Sequence, residues 1–159
     1  MGKKTTESEL IDRFYTAFQQ GDYASMQACY HPQATFHDPV FQTLDSRQVK
    51  AMWQMLLTSA RDLRITFSDV SAQGGTGSCQ WHAHYTFSRT GRSVHNIVRS
   101  EFTFRDGLIF TQKDHFNFWR WSRQALGSSG LLLGWSPLVK NKVSKTAQQN
   151  LAKFLASGR

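Results

Sequence analysis

Apolar and polar positions recur along this chain with two different periods, and the change falls near Leu63. Before it, Leu10, Ile11, Phe14, Tyr15 and Phe18 in TESELIDRFYTAFQQ return every three or four residues, as do Val49, Met52, Trp53 and Leu56 in DSRQVKAMWQMLLTSAR. That spacing places each set on one side of a helix, so helices are predicted over 6–20 and 45–61. Thr6 and Glu9 form a capping box for the first, and Gly21 stops it. A short helix is predicted from DYASMQACY, with Asp22 as N-cap and Pro32 closing it. ATFHDPVF then reads as a short strand ending at the Asp38–Pro39 turn.

After Leu63 the period is two. LRITFSDVSAQ, SCQWHAHYTFS, VHNIVRSEFTF and LIFTQKDHFNFW read as strands, separated by turns at GGTG, RTGRS and RDG. Three helices, one short strand and a long meander make an α+β plan, in which a curved antiparallel sheet curls around the helical layer. Past a Gly/Ser break, SPLVKNKVSKTAQQNLAKFLAS carries Val139, Val143, Ala147, Leu151, Phe154 and Leu155 on one side. That stripe predicts a proline-started helix docked on the rest. The division expected is a domain over 1–120 and a basic extension over 121–159.

Composition changes this picture little, and charge sharpens it. With 40% hydrophobic residues, 12 Phe and 5 Trp, the 159-residue chain has enough apolar content for one good core. No apolar run reaches membrane-span length and no secretory leader is visible; Cys29 and Cys79 lack metal or disulfide spacing. A reduced, cytoplasmic protein is the expectation. Gly2 and Thr6 do fit the short N-myristoylation pattern. The net charge of +8 is concentrated at one end: residues 1–115 hold 12 Lys/Arg against 11 Asp/Glu, and residues 116–159 hold seven Lys/Arg and no acid. Such a tail can meet phosphate or an anionic membrane surface, yet lysines scattered along an amphipathic helix are more often its solvated face. The tail lacks the dense clustering of a nucleic-acid segment.

The chemistry-bearing side chains sort by strand parity. Gln80, His82 and His84 share one face of their strand; Asp114 shares a face with Phe110, Gln112, Phe116 and Phe118. A carboxylate among aromatic rings needs a partner or a raised pKa. His84 is the expected partner if the sheet curls far enough, with a purely structural ion pair as the other reading. His82 and His84 equally fit an exposed polar stripe. No third ligand has diagnostic spacing, so no metal is expected. Asp38, before proline, is either a turn starter or a second functional carboxylate.

FYTAFQQGDYASMQACYHPQATFHDP, followed by the meander ending in KDHFNFW, resembles the nuclear-transport-factor-2-like superfamily over about residues 7–120. Ketosteroid isomerases, SnoaL-type polyketide cyclases and limonene-epoxide hydrolases belong to it. The resemblance implies a cone-shaped domain with a deep apolar pocket and commonly a homodimer through the sheet's outer face. It implies that Asp38 stands where the isomerases keep a general base. The isomerase oxyanion donors fall at Phe14 (Tyr15 is one residue off) and Ser100. Asp114 matches the acid–base aspartate of the hydrolases and cyclases. The function expected is binding of a small, mostly apolar organic molecule, with cofactor-free acid–base isomerisation, cyclisation or hydration by Asp114, His84, Asp38 and His82. Phe14, Tyr15, Trp53, Gln80, Phe110, Gln112 and Phe116 would line the pocket. The alternatives are a non-catalytic ligand-binding or dimerisation module and, less so, a nucleic-acid or anionic-surface contact through the tail.

Overall fold

The structure is a computed structural model and describes residues 6–134 and 136–158. Gly2 of the N-terminal pattern and Trp135 lie outside them. The predicted helices form as α1 (Glu7–Gln19), α2 (Tyr23–Ala28) and α3 (Ser46–Ser59). Each begins on a side chain that satisfies a backbone donor left free by the first helical turn. Thr6 Oγ1 accepts the Glu9 N–H at 3.2 Å, and Asp22 Oδ1 accepts the Ser25 N–H at 3.1 Å. At α3 the bond is reciprocal: Asp45 accepts from the Gln48 N–H at 2.8 Å, and Gln48 Oε1 accepts the Asp45 N–H at 2.9 Å.

Six strands, β1 (Tyr30–Asp38), β2 (Gln42–Asp45), β3 (Arg64–Gln73), β4 (Thr76–Phe87), β5 (Arg92–Arg105) and β6 (Leu108–His115), make one curved, unclosed sheet in the order β2-β1-β6-β5-β4-β3. The meander β3 to β6 is antiparallel throughout. Its hairpins turn where positive φ is tolerated, at Gly74–Gly75 and Asp106–Gly107. The sheet is nonetheless not wholly antiparallel, because β1 runs parallel to β6. Pro32 does not close α2 either. The helix stops at Ala28, and Pro32 lies in β1, where the register with β6 slips between Tyr30 and Thr35. A residue without an N–H is tolerated in such an interruption.

The last predicted strand is shorter than its apolar pattern suggests. β6 ends at His115, and Asn117 Oδ1 accepts the Arg120 N–H at 2.9 Å to open α4 (Phe118–Leu126). Phe118 and Trp121 are therefore buried from a helix rather than a strand. Beyond α5 (Ser128–Leu133) runs α6 (Pro137–Ala156). No helix among the described residues is long and apolar enough to cross a membrane.

The concave face of the sheet wraps α1 and α3 into a cone filled by one large core. Leu151 of α6 is part of that core, with Ala147, Phe154 and Leu155 packed against it; Val139 and Val143 pack on a smaller cluster around Phe118 and Trp121. Ser144 Oγ donates to the Val40 carbonyl at 2.5 Å, and Gln148 Nε2 donates to that of Phe41 at 3.5 Å. So α6 grips the turn between β1 and β2. Leu151, 3% exposed, tests this docking. Leu151→Ala is expected to cost about 2–4 kcal/mol in equilibrium urea unfolding. Lys145→Ala, on the exposed side of α6, should change stability by no more than about 0.5 kcal/mol.

Candidate active site

Asp114 sits on the inner face of β6, opposite Ser100 of β5, and is 4% exposed. Its Oδ1 accepts two bonds, from Ser100 Oγ at 2.6 Å and from Gln112 Nε2 at 3.0 Å. Both donors are themselves fixed from behind. Ser100 Oγ accepts from Tyr15 OH and from Trp81 Nε1, each at 2.8 Å, so its single hydrogen is left for Asp114. Trp53 Nε1 donates to Tyr30 OH at 2.8 Å, and Tyr30 OH then donates to Gln112 Oε1. That assigns the Gln112 amide, whose NH2 faces Asp114. Two hydrogens, one from Ser100 and one from Gln112, thus reach one carboxylate oxygen, and the rest of the network orients those two donors. Oδ2 has no hydrogen-bond partner among the described residues, so Oδ2 is the oxygen left to carry or release a proton.

Burial dominates the electrostatics. Desolvation pushes the Asp114 pKa up to about 7, against the lowering effect of its bonds from Ser100 and Gln112; the charge of Asp38 raises it further. Asp38 closes β1, 8% exposed, with Oδ1 accepting the N–H groups of Val40 at 2.9 Å and Phe41 at 2.6 Å. Burial brings Asp38 to about 6, despite those two bonds. Burial also raises Tyr15 and Tyr30 well above their ordinary range, so both remain hydroxyl donors. The thiols of Cys29 and Cys79 are pushed by burial to about 11 and about 12, which keeps them protonated and poor nucleophiles.

Several expected site residues lie elsewhere. Cys79, Trp81 and Ala83 are the inward residues of β4, so Gln80, His82 and His84 project from the outer face of the sheet. His84 therefore does not pair with Asp114; curling brings the inner faces together and leaves the outer ones apart. Phe110 is also outside. The β5–β6 register shifts between Thr103 and Phe104, so Ile109 and Gln112 both face inward and Phe110 is displaced between them. Its ring meets His31 edge-on at 5.4 Å and the Arg105 guanidinium at 4.1 Å. Phe116 is half-buried against both apolar clusters.

Phe14, Tyr15 and Trp53 are inside, packed on one another and their neighbours. Phe14 makes edge contacts with Tyr15 at 5.0 Å, Tyr30 at 5.6 Å and Trp53 at 5.9 Å. A surface groove of about 380 Å³ lies along α1 and α2, and one of about 610 Å³ between Gln42 and α6; neither is lined by Asp114 or Asp38. Tyr30 and Trp81 were not legible as site residues from the sequence. Their parity was visible, but the bonds they make depend on where β1 and β4 meet β6 and β5.

The model of the SnoaL-like domain matches residues 11–112, from α1 to the glutamine that holds Asp114. The chain belongs to the SnoaL-like domain family. Solved structures agree on its nuclear-transport-factor-2-like fold. IdmH of Streptomyces antibioticus, a candidate polyketide cyclase, is 22% identical with a TM-score of 0.63, over 74% of this chain and 96% of that one. An epoxide hydrolase of M. tuberculosis resembling limonene-epoxide hydrolases is 18% identical, TM-score 0.62, over 86% and 98%. An NTF2-like protein of unknown function from Cytophaga hutchinsonii is 12% identical, TM-score 0.59, over 74% and 95%. No curated protein matches the sequence significantly. In this SnoaL-like domain α6 lies beyond the matched residues and holds the turn that follows Asp38.

The raised carboxyl groups give the stability a definite pH dependence. An Asp114 folded pKa of about 7 against an ordinary 3.8 means the folded protein keeps a proton the unfolded chain has released. The stability this group contributes is fully present below about pH 4 and is lost as pH rises through about 7, by at most ~1.4 kcal/mol per pH unit. Asp38 acts in the same direction up to about 6. Thermal unfolding followed between about pH 5 and 8 should show a falling midpoint in the parent. Asp114→Asn, whose carbonyl still accepts from Ser100 and Gln112, should flatten that slope.

Proposed function

We propose that this protein is a cofactor-free acid–base catalyst for a small, mostly apolar organic molecule, moving a proton through Oδ2 of Asp114. The observation that carries this reading is the direction of the network. Two donor chains, Tyr15 through Ser100 and Tyr30 through Gln112, both end on Oδ1, while burial poises the group near neutrality, where one carboxyl group serves as either acid or base. Asp38 is the second carboxyl group and titrates lower. When ionised it favours the protonated form of Asp114, dividing the roles of base and acid between them. Isomerisation, cyclisation and hydration all need only such a proton transfer, and a candidate cyclase and an epoxide hydrolase share the fold. In this reading the protein is a cytoplasmic homodimer joined through the sheet's outer face, and Ser100, Gln112 and Tyr15, not His84, position Asp114.

A second reading, a non-catalytic ligand-binding or dimerisation module, is favoured by the tight mutual packing of Phe14, Tyr15, Tyr30 and Trp53 inside the cone. One experiment separates the two. Native mass spectrometry of the purified protein identifies the molecule it retains, and conversion of that molecule is then followed with the parent and Asp114→Asn. Catalysis predicts turnover reduced at least about 100-fold in the variant with affinity little changed. Equal turnover in both removes Asp114 from the chemistry. Binding without turnover by the parent establishes the second reading.

A further inference from the structure

The outer face of the sheet carries a side-chain cluster that the chemistry above does not use. His82 and His84 project from β4, and His95 of β5 lies directly across the ladder from His84. The His95 ring is sandwiched, with ring centroids 4.0 Å from His84 and 5.0 Å from His82. His82 Nδ1 and His95 Nε2 approach to 2.7 Å, and one ring nitrogen from each of the three residues falls within 4.8 Å of the others. All three are half-buried.

The groups facing His95 are the two other histidines and Arg120 of α4. Among the described residues no carboxylate pairs with any of the three. The 2.7 Å contact holds one hydrogen between His82 Nδ1 and His95 Nε2, and a change of tautomer that moves it to an outer ring nitrogen frees both for an ion. The other nitrogen of His82 is already occupied. Its Nε2 lies 3.3 Å from Gln80 Nε2; turning that amide to present oxygen instead would hold the His82 hydrogen on Nε2 and free Nδ1.

We propose that His82, His84 and His95 form a binding site for a divalent transition-metal ion of the zinc class. Three neutral imidazoles suit Zn²⁺, Ni²⁺ or Cu²⁺ and not Mg²⁺ or Ca²⁺, which require oxygen donors. Three protein ligands leave one position for water or for a donor atom that meets the outer face. The stacked rings must fan apart for their lone pairs to converge. The terminal torsion of histidine is broad, so this takes side-chain rotation without a backbone shift. Gln80 is a positioning residue, and Arg120 opposes the ion's charge.

Chelator-treated, tag-free, full-length protein titrated with ZnCl₂ by calorimetry, and with CoCl₂ by visible absorption, tests the site. The expected result is one ion per chain, a cobalt spectrum of low-coordinate nitrogen ligation, and no competition from MgCl₂. His84→Ala and His95→Ala should each weaken zinc at least about tenfold, and Gln80→Ala about tenfold. His37→Ala, whose ring bonds to Thr43 instead, should bind as the parent does. Circular dichroism identifies any variant that has lost its fold. Absence of saturable zinc binding, or binding that survives His84→Ala and His95→Ala in folded protein, overturns the proposal.

Discussion

The two hydrogen bonds that Ser100 and Gln112 give to one oxygen of Asp114 set the conditions for the whole interior of the cone. A carboxyl group moved from water into aromatic surroundings must find donors, find a cation, or keep its proton. Among the described residues no lysine or arginine forms an ion pair with Asp114. The donors are instead neutral, and each must be steered, because a serine hydroxyl or a glutamine amide can point either way. Tyr15 and Trp81 steer Ser100; Tyr30, steered by Trp53, steers Gln112. Four of the core's largest side chains thus have a polar atom committed to one carboxyl group. Their rings fill the cone, while their hydroxyl and indole hydrogens orient the donors to its more deeply buried acid. Neutral donors leave the group close to neutrality, where a guanidinium would have pulled its pKa far down.

Much of this was legible in the sequence because it is local. The helix starts at Thr6, Asp22 and Asp45 depend on side chains reaching three residues ahead, and the hairpins depend on residues that accept positive φ. The inward position of Asp114 follows from parity within one short stretch. The α6 stripe from Val139 to Leu155 likewise identifies the side that docks. Each of these is fixed within a few residues of chain.

What was not legible depends on pairing between distant segments. Counting back from the Asp106–Gly107 turn would set Asp114 opposite Arg99; the bulge near Phe110 advances it by one, to Ser100. Asp114 thereby faces a serine hydroxyl rather than a guanidinium, and Phe110 leaves the group of rings in which parity placed it. The parallel alignment of β1 with β6 places Tyr30 beside Ile109 and its hydroxyl on Gln112, a contact across 82 residues of chain that no periodicity encodes. His82 and His84 were correctly grouped with each other, but only the β4–β5 register shows that His95 stands beside them. The distance from FHDP to the C-terminal helix hid the remaining contact, that of Ser144 with Val40.

That contact joins two parts of the molecule in a single free-energy balance. The turn Asp38–Phe41 offers its N–H groups to the Asp38 carboxyl and its carbonyls to Ser144 and Gln148 of α6. Any change in how firmly α6 grips those carbonyls alters how the amides meet Asp38, and reciprocity requires the converse by the same amount. The C-terminal helix is therefore an energetic neighbour of the inner acid pair, although it stands outside the part of the chain that defines the family.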